Sequence, residues 1–307
     1  MGCKSMKVLA YYLFSSLALF CVLGHTQSAP IASPIPCPSK DIAINSFSSL
    51  SIRGPINVYI DATQTKPSLQ ILGDPKSVSN VTWKEKTHTL YLGTKLFYPA
   101  RHDGQLTIKV NTTPQQINQI LFHSNANLFG KGLMGSLSLR AEGTGRINLY
   151  TNKLNLKSLY SNGKGNITLH NIHSQDLSIK SYNTRYITIG GEVARNTIDF
   201  MGNGNLLVYW INSPYLKINA AGKGKIVLAG VVKMLDTHLS QKIQLLAKQL
   251  YAQQGFIRTQ GQAQAQVRVK NKMMAFAKDK SIIYYDLPIN FISAYTEGNG
   301  LILNRSN

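Results

Sequence analysis

Acidic residues are scarce in this sequence. Aspartate and glutamate total 13 of 307 residues, against 33 lysines and arginines, which gives a formal net charge of +20 at pH 7. Charged residues make up only 15% of the chain, whereas an ordinary soluble protein has roughly 25%. The basic excess therefore comes from missing acids rather than from abundant bases. A hydrophobic content of 43% excludes a wholly disordered chain, and the length is sufficient to bury a large core.

Long hydrophobic runs are equally scarce, because only Val8–Leu23 qualifies. Two lysines precede this run and small and polar residues follow it, which is the order of a secretory signal. The run is shorter than the ~20 residues of a typical membrane span, and an uncleaved membrane anchor is the alternative. We predict a signal peptide over residues 1–28, with cleavage after Gly24 or Ser28. The protein is then exported to the periplasm, to the outer-membrane surface or out of the cell.

Cysteine is the third scarce residue type. Cys3 and Cys21 lie within the predicted signal, so Cys37 alone remains after cleavage. A single cysteine cannot form an internal disulfide, and packing must hold the fold together. Cys37 lies among prolines in a stretch that we interpret as an extended linker over residues 29–43. We interpret it as an incidental free thiol, with an intermolecular bridge as the alternative.

An internal repeat is the most informative feature that the sequence does contain. From about residue 120 to 230 a short turn recurs every 19 or 20 residues, at Gly143-Thr144-Gly145, Gly163-Lys164-Gly165, Asn183-Thr184-Arg185, Gly202-Asn203-Gly204 and Gly222-Lys223-Gly224. Two apolar columns follow the turns: Ile147, Ile167, Ile187, Leu206 and Ile226, then Leu149, Leu169, Ile189, Val208 and Leu228. A third column precedes them: Leu139, Leu159, Ile179, Ile198 and Ile218. Within each repeat the apolar period is two, which indicates strands with one face buried.

Strands joined by tight turns at a constant pitch predict an all-β parallel solenoid whose coils of about 20 residues stack on one another. A β-sandwich is the competing all-β fold, but its strands need not keep one phase over five units. We expect glycine to supply a positive φ at each turn, with Asn183 as its replacement. Because no coil is stable alone, we expect the flanking segments to cap the array.

We predict a single domain over residues 44–305. It divides into an N-terminal part (44–113), regular coils (114–233) and C-terminal coils (234–305). Leucines and isoleucines between residues 235 and 250 recur at spacings of 3 and 4, which taken alone indicates an amphipathic helix. The β-like runs further along favour continued coils, and this is our prediction.

Three motifs carry a resemblance to a known family. Gly54-Pro55-Ile56-Asn57-Val58 resembles the opening Gly-x-Ile/Val-Asn-Val signature of the bacterial GIN-domain family, which is named for auto-transporter adhesin head domains. The Gly-x-Gly-x-Ile turns look like its repeated motif, and Ser281–Pro288 is similar to its C-terminal Gly-Asp-Ile-Tyr-Tyr-x-Gly-x-Pro stretch. Asn183-Thr184-Arg185 and Lys280-Ser281 depart from the pattern. The resemblance covers residues 44–305. It implies a right-handed parallel β-helix on an exported protein and carries over no catalytic residue.

Chemistry on a β-helix would require clustered carboxylates, as in enzymes that cleave acidic polysaccharides. In a solenoid such a cluster comes from adjacent coils at the same phase. Asp176 and Asp236 have similar phases but lie three coils apart, roughly 14 Å at ~4.8 Å per coil. His170 and His173 fall between strands, where solvated histidines are common. We therefore predict no catalytic, metal-binding or cofactor-binding residue. A carbohydrate-active enzyme, a polysaccharide lyase or hydrolase, is the alternative.

The basic residues are distributed differently from the acids. Five of them lie at or beside the repeated turns, and stacking would place them along one edge: Arg146, Lys164, Arg185, Lys223 and Lys225. Among the carboxylates only Glu142 adjoins this edge. We predict that the edge binds an anionic envelope polysaccharide or lipopolysaccharide, with plain solubility as the alternative. Export makes nucleic acid a less natural partner, and the sequence leaves the oligomeric state open.

Overall fold

The computed structural model describes residues 39–95, 106–286 and 288–305, which belong to one compact unit. The predicted signal peptide and Cys37 lie outside these residues. Within them, no helix has the length and the apolar composition to span a membrane. The N-terminal elements are β1 (Ser39–Ala43), β2 (Ser49–Arg53), β3 (Asn57–Asp61), β4 (Ser68–Leu72), the short helix α1 (Pro75–Val78), β5 (Val81–Lys86), β6 (Thr89–Thr94), β7 (Thr107–Asn111), β8 (Gln119–His123), β9 (Leu128–Leu133) and β10 (Ser136–Gly143).

Long strands follow, each of which bends round most of one coil. They are β11 (Ile147–Gly163), β12 (Ile167–Ser181), β13 (Tyr186–Phe200), β14 (Asn205–Ala220), β15 (Lys225–Leu239), β16 (Gln244–Thr259) and β17 (Gln264–Asp279). Three shorter strands complete the described chain: β18 (Ile282–Tyr285), β19 (Phe291–Gly298) and β20 (Leu301–Asn304). Each of β11 to β16 pairs in parallel with the strand that follows it. The all-β solenoid predicted from the repeat is confirmed.

The three apolar columns form the interior of the solenoid. Ile147 lies opposite Ile167, which lies opposite Ile187, and the two other columns keep register in the same way through all five coils. None of the fifteen column side chains is more than 2% exposed. Burying a Val, Leu or Ile side chain contributes about 1.5–3 kcal/mol, so these ladders supply the main force that holds one coil on the next.

The N-terminal part closes its end of the solenoid with antiparallel strands. β4 pairs antiparallel with both β1 and β7, and β5 forms a hairpin with β6. β2 and β3 then pair in parallel with β8 and β9 and lead into the coils. Ser39–Ala43, which falls at the end of the predicted linker over residues 29–43, is a strand of this cap.

The C-terminal segment continues the coils, so the helical alternative for residues 235–250 is wrong. Leu235 and Leu239 lie in β15 and Leu250 lies in β16, and all three are buried. The expected cap is missing at this end within the described chain. All eight residues of β19 are exposed, including Ile292 at 37%, although its register with Met273 points it toward the core.

Close packing explains the turn glycines more generally than a positive φ does, because among them only Gly143 and Gly222 have a positive φ. A Cβ atom on Gly163 would lie 2.2 Å from the carbonyl oxygen of Gly143, and one on Gly165 would lie 2.0 Å from that of Gly145. Neither Gly163 nor Gly165 has a positive φ. Successive turns therefore stack so closely that their backbones leave no room for a side chain.

Asn183 corrects the same expectation, because it too lacks a positive φ. Its side chain is buried and donates hydrogen bonds from Nδ2 to Ser161 Oγ at 3.0 Å and to the Gly165 carbonyl oxygen at 2.9 Å. Its Oδ1 accepts from the Arg185 backbone N–H at 2.7 Å. Asn183 therefore replaces glycine by bonding to neighbouring backbone groups, and not by adopting a left-handed conformation.

Candidate functional site: a basic corner

The corner is the series of five turns that connect consecutive strands from β10 to β15. All five residues predicted to bind a ligand lie there, and all five are exposed: Arg146, Lys164, Arg185, Lys223 and Lys225. Arg146 and Lys225 share one register column, Lys164 and Lys223 share a second, and Arg185 lies in a third. The fourth of the five turns carries no basic residue. The cations therefore follow one edge without forming a regular ladder.

Asparagine side chains hold the backbone of this corner. The Arg146 N–H donates to Asn127 Oδ1 at 3.3 Å, and the Lys223 N–H donates to Asn203 Oδ1 at 3.1 Å, each asparagine lying one coil earlier. These bonds satisfy the turn backbone and leave the basic side chains pointing to solvent. The corner is thus a hydrogen-bonded series of turns that carries exposed positive charges.

Glu142, the carboxylate that directly precedes the first turn of the corner, is paired with Arg140 and His123. Its Oε1 accepts from Arg140 Nη2 at 2.6 Å and from Arg140 Nε at 2.7 Å, and its Oε2 lies 2.8 Å from His123 Nδ1. A carboxylate held by a two-point guanidinium contact has little charge left to offset other cations. The positive corner therefore lacks an internal counter-charge among the described residues of these five turns.

Two further lysines extend the corner and were missed by the sequence reasoning. The register of β15 with β16 places Lys242 opposite Lys223, and Lys280 lies two coils further on at the same position. Both are exposed. The turns that carry them lack the Gly-x-Gly motif, so the motif does not identify them. Counting a constant coil length onward from Lys223 would have found Lys242.

Asp176 and Asp236, the two carboxylates with similar phases in the sequence, do not form an acid–base pair. Asp176 lies opposite Arg195 in the strand register. Asp236 accepts from Arg258 Nη2 at 3.1 Å and from the Tyr215 hydroxyl at 3.2 Å. Burial, together with the Asp236 charge, raises the pKa of Tyr215. The strand register puts Asp176 and Asp236 in different columns as well as in different coils.

The two histidines considered as metal ligands point to different partners. His170 stacks on Tyr150 with 4.2 Å between ring centroids and an interplanar angle of 3°. His173 Nδ1 lies 3.1 Å from Glu192 Oε2. In the part of the chain that the structure describes, no three His, Cys, Asp or Glu side chains are placed to hold a metal ion.

Fold and site together define an all-β solenoid protein that presents a long basic edge. Residues 46–214 and 155–286 match the family described as "Putative auto-transporter adhesin, head GIN domain". The chain belongs to this family, as its motifs indicated. Comparison with curated proteins gives no match.

Solved structures with a similar chain course include two described as a "putative adhesin". One, from Parabacteroides merdae, is 17% identical with a TM-score of 0.45, and the alignment covers 87% of this chain and 95% of that chain. The other, from Parabacteroides distasonis, is 15% identical with a TM-score of 0.46, covering 87% and 96%. A "putative lipid binding protein" from Parabacteroides distasonis is also 15% identical, with a TM-score of 0.45 and coverage of 87% and 96%.

Proposed function

We propose that this protein is a non-enzymatic binding module of the cell envelope or cell surface, and that its corner binds an anionic polysaccharide. The observation that carries the proposal is the set of five exposed cations at the corner, together with the pairing of the adjoining carboxylate Glu142 with Arg140 and His123. A family named for adhesins supports a binding role over a catalytic one.

The dimensions of the corner suit an extended ligand. Arg146 and Lys225 are four coils apart, which is roughly 19 Å at ~4.8 Å per coil. Positive charges along one edge raise the local concentration of a polyanion and speed its association. Lys242 and Lys280 lengthen the same edge toward the C-terminus. An acidic polysaccharide that follows the edge would meet a cation in most of the coils it crosses.

Export is part of the same proposal. It is supported by the lysine-flanked apolar segment Val8–Leu23 and the small residues that follow it. An envelope location would bring the corner to two kinds of acidic glycan, a free acidic polysaccharide and the sugar of lipopolysaccharide. Both present carboxylates or phosphates on a sugar chain, and the corner would meet either through the same charges.

The test compares binding of the purified protein to alginate, to lipopolysaccharide and to neutral dextran at 0.1 M and 1 M salt. Screening shortens the range of exposed charges from ~10 Å to ~3 Å over this interval. Replacing all five corner residues by Gln should leave the fold intact and weaken alginate binding at least fivefold, since exposed ion pairs contribute about 0.2–1 kcal/mol each. If this variant loses binding to lipopolysaccharide but not to alginate, the ligand of the corner is the glycan of lipopolysaccharide.

A matched control separates the corner from net charge. Five other exposed lysines lie away from the corner and can be changed to Gln together: Lys66, Lys157, Lys233, Lys248 and Lys270. This variant has the same net charge as the corner variant and should retain binding. Equal losses in the two variants would contradict a corner site, and unchanged binding by the corner variant would show that the cations serve only solubility.

A further inference from the structure

An open cleft of about 440 Å³ lies on the N-terminal part of the solenoid, outside the five turns of the corner. It is formed where β2, β6 and β5 lie side by side, and its lining residues on the outward face are Ser51, Arg53, Thr82, Lys84, Tyr91 and Gly93. Small-molecule sites usually measure about 300–1,000 Å³. The cleft is therefore large enough for one small ligand.

Two small residues make the floor of this cleft. Ser51 is buried, and it lies opposite Tyr91 in the register of β2 with β6. Gly93 lies opposite Thr82 in the hairpin, and a Cβ atom there would come within 3.3 Å of Thr82 Oγ1 and 3.4 Å of the Arg53 carbonyl oxygen. A side chain at Gly93 would therefore fill the space between the three strands. The larger side chains Arg53, Lys84 and Tyr91 stand around it.

The described lining of the cleft carries positive charge and no carboxylate. Neither Arg53 nor Lys84 makes an ion pair with any described residue, and none of the lining residues is a carboxylate. Glu85, the nearest acid in sequence, points to the other face of the hairpin because side chains alternate along a strand. There its two carboxylate oxygens accept from Asn45, at 3.1 Å from N and 2.7 Å from Nδ2. The two exposed cations of this cleft are therefore available to an anionic ligand.

Tyr91 adds an aromatic surface to the two charges. Tyr91 is 37% exposed, and Lys84 Nζ lies over its ring, 5.2 Å from the ring centroid. Threonine hydroxyls at Thr82 and Thr94 lie along the same lining. These groups of the cleft match an acidic sugar, because such a ligand carries an anionic group for the cations, several hydroxyls for the threonines and a flat apolar ring face for Tyr91.

We propose that this cleft binds a single acidic sugar residue. Its carboxylate lies between Arg53 and Lys84, its ring packs against Tyr91, and its hydroxyls meet the threonines. The cleft lies on the edge that leads to the basic corner, because the strand register places Arg53 opposite His123 and His123 opposite Glu142, which directly precedes the first turn. Gly54 directly follows Arg53, and its carbonyl oxygen accepts a hydrogen bond from Ser124 Oγ, one coil on, at 2.6 Å. The inference deepens the proposed function, because a polysaccharide that follows the corner would place one unit here.

The test uses a monosaccharide, which is too short to follow the corner. Glucuronate titrated into the purified protein should shift amide NMR signals of residues in β2, β5 and β6, whereas glucose and inorganic phosphate should shift them at least tenfold less at equal concentration. Arg53→Gln and Gly93→Leu should each weaken glucuronate binding at least tenfold. The Arg53→Gln variant should fold normally because Arg53 is exposed. If the Gly93→Leu variant fails to fold, the Arg53→Gln variant still tests the proposal.

The corner variant with five Gln substitutions separates this inference from the proposed function. It should lose alginate binding but keep glucuronate binding. Glucuronate that shifts no signals in these strands, or phosphate that matches glucuronate, would overturn the cleft proposal and leave the corner proposal standing. Glucuronate binding that survives Arg53→Gln unchanged would also overturn it.

Discussion

Thr237 offers a sensitive test of whether the interior of the solenoid is as dry as its apolar columns indicate. Its side chain is fully buried in β15, between Ile218 of the preceding coil and Ile257 of the following one. Its Oγ1 has no hydrogen-bond partner among the described residues. A buried hydroxyl without a partner has lost its hydrogen bonds to water, and no hydrogen bond within the protein compensates for this loss.

Thr237→Val replaces this hydroxyl with a methyl group of nearly the same shape. An unsatisfied buried polar group costs about 1–3 kcal/mol, so the substitution should raise the free energy of unfolding by an amount in that range. Valine also suits a strand as well as threonine does. For a domain of this size each kcal/mol corresponds to about 2–4 °C in Tm, so a rise of at least about 2 °C is expected.

Thr259 provides the matched control in the next coil. It is 1% exposed, but its Oγ1 bonds to Ser281 Oγ at 2.8 Å, and Ser281 Oγ donates onward to the Lys278 carbonyl oxygen at 2.8 Å. Thr259→Val breaks a satisfied bond and should lower the free energy of unfolding by about 0.5–1.5 kcal/mol. The two identical substitutions should therefore change stability in opposite directions.

Urea unfolding followed by circular dichroism measures both changes, with an unchanged m-value as the check that the transition is comparable. Destabilisation by Thr237→Val would show that its hydroxyl has a partner, such as a buried water, and that the core is not dry. Stabilisation by both variants would show that hydrogen bonding in this coil does not contribute as reasoned.

Three further predictions concern the coils and their N-terminal cap. Ile167→Asp places an unpaired charge inside the core and should prevent folding or cost more than about 4 kcal/mol, whereas Thr168→Asp on the outer face should be tolerated; equal thermal stability would contradict the strand phase. Gly163→Ala should destabilise because its Cβ meets a backbone oxygen at 2.2 Å, whereas Gly190→Ala, whose nearest contact is 3.8 Å, should change Tm by no more than a few degrees. Burial raises the pKa of Asp61, but hydrogen bonds from neighbouring side chains outweigh this effect and leave the pKa below its ordinary value. The stability that ionised Asp61 contributes is therefore present above pH ~3.9 and is lost as the pH falls through the folded pKa. An acid-induced loss of Tm as large in Asp61→Asn as in the wild type would refute this.

The repeat predicted the interior well because a stacked solenoid has to satisfy the same packing condition in every coil. Each inward position faces its equivalent in the coils above and below, so an apolar residue recurs at that position in all five repeats. The apparent helical spacing between Leu235 and Leu250 has a different origin. It arises where two strands with period two are separated by a turn, as β15 and β16 are. A pattern that spans a turn can imitate a helical period, and the neighbouring coils decide between the two.

The N-terminal cap and the cleft could not be predicted in this way, because neither repeats. Their contacts join residues far apart in sequence, such as Ser51 with Tyr91 and Gly54 with Ser124. The packing role of the turn glycines could not be predicted either, because a sequence shows that a side chain is absent but not which atoms a side chain there would contact. The carbonyl oxygen that excludes a Cβ at Gly163 belongs to the preceding coil.

The two proposed sites differ in what they could contribute to recognition. The corner cations occupy three register columns, leave one turn empty and point freely into solvent, so they impose no fixed spacing on a ligand. Exposed charges of this kind give attraction and fast association more than selectivity. Arg53, Lys84 and Tyr91 instead surround a floor of fixed shape. A ligand held by both would gain affinity from the corner and identity from the cleft. Removing the corner charges should therefore lower the affinity for all acidic glycans by similar factors, whereas filling the cleft should change which acidic glycan the protein prefers.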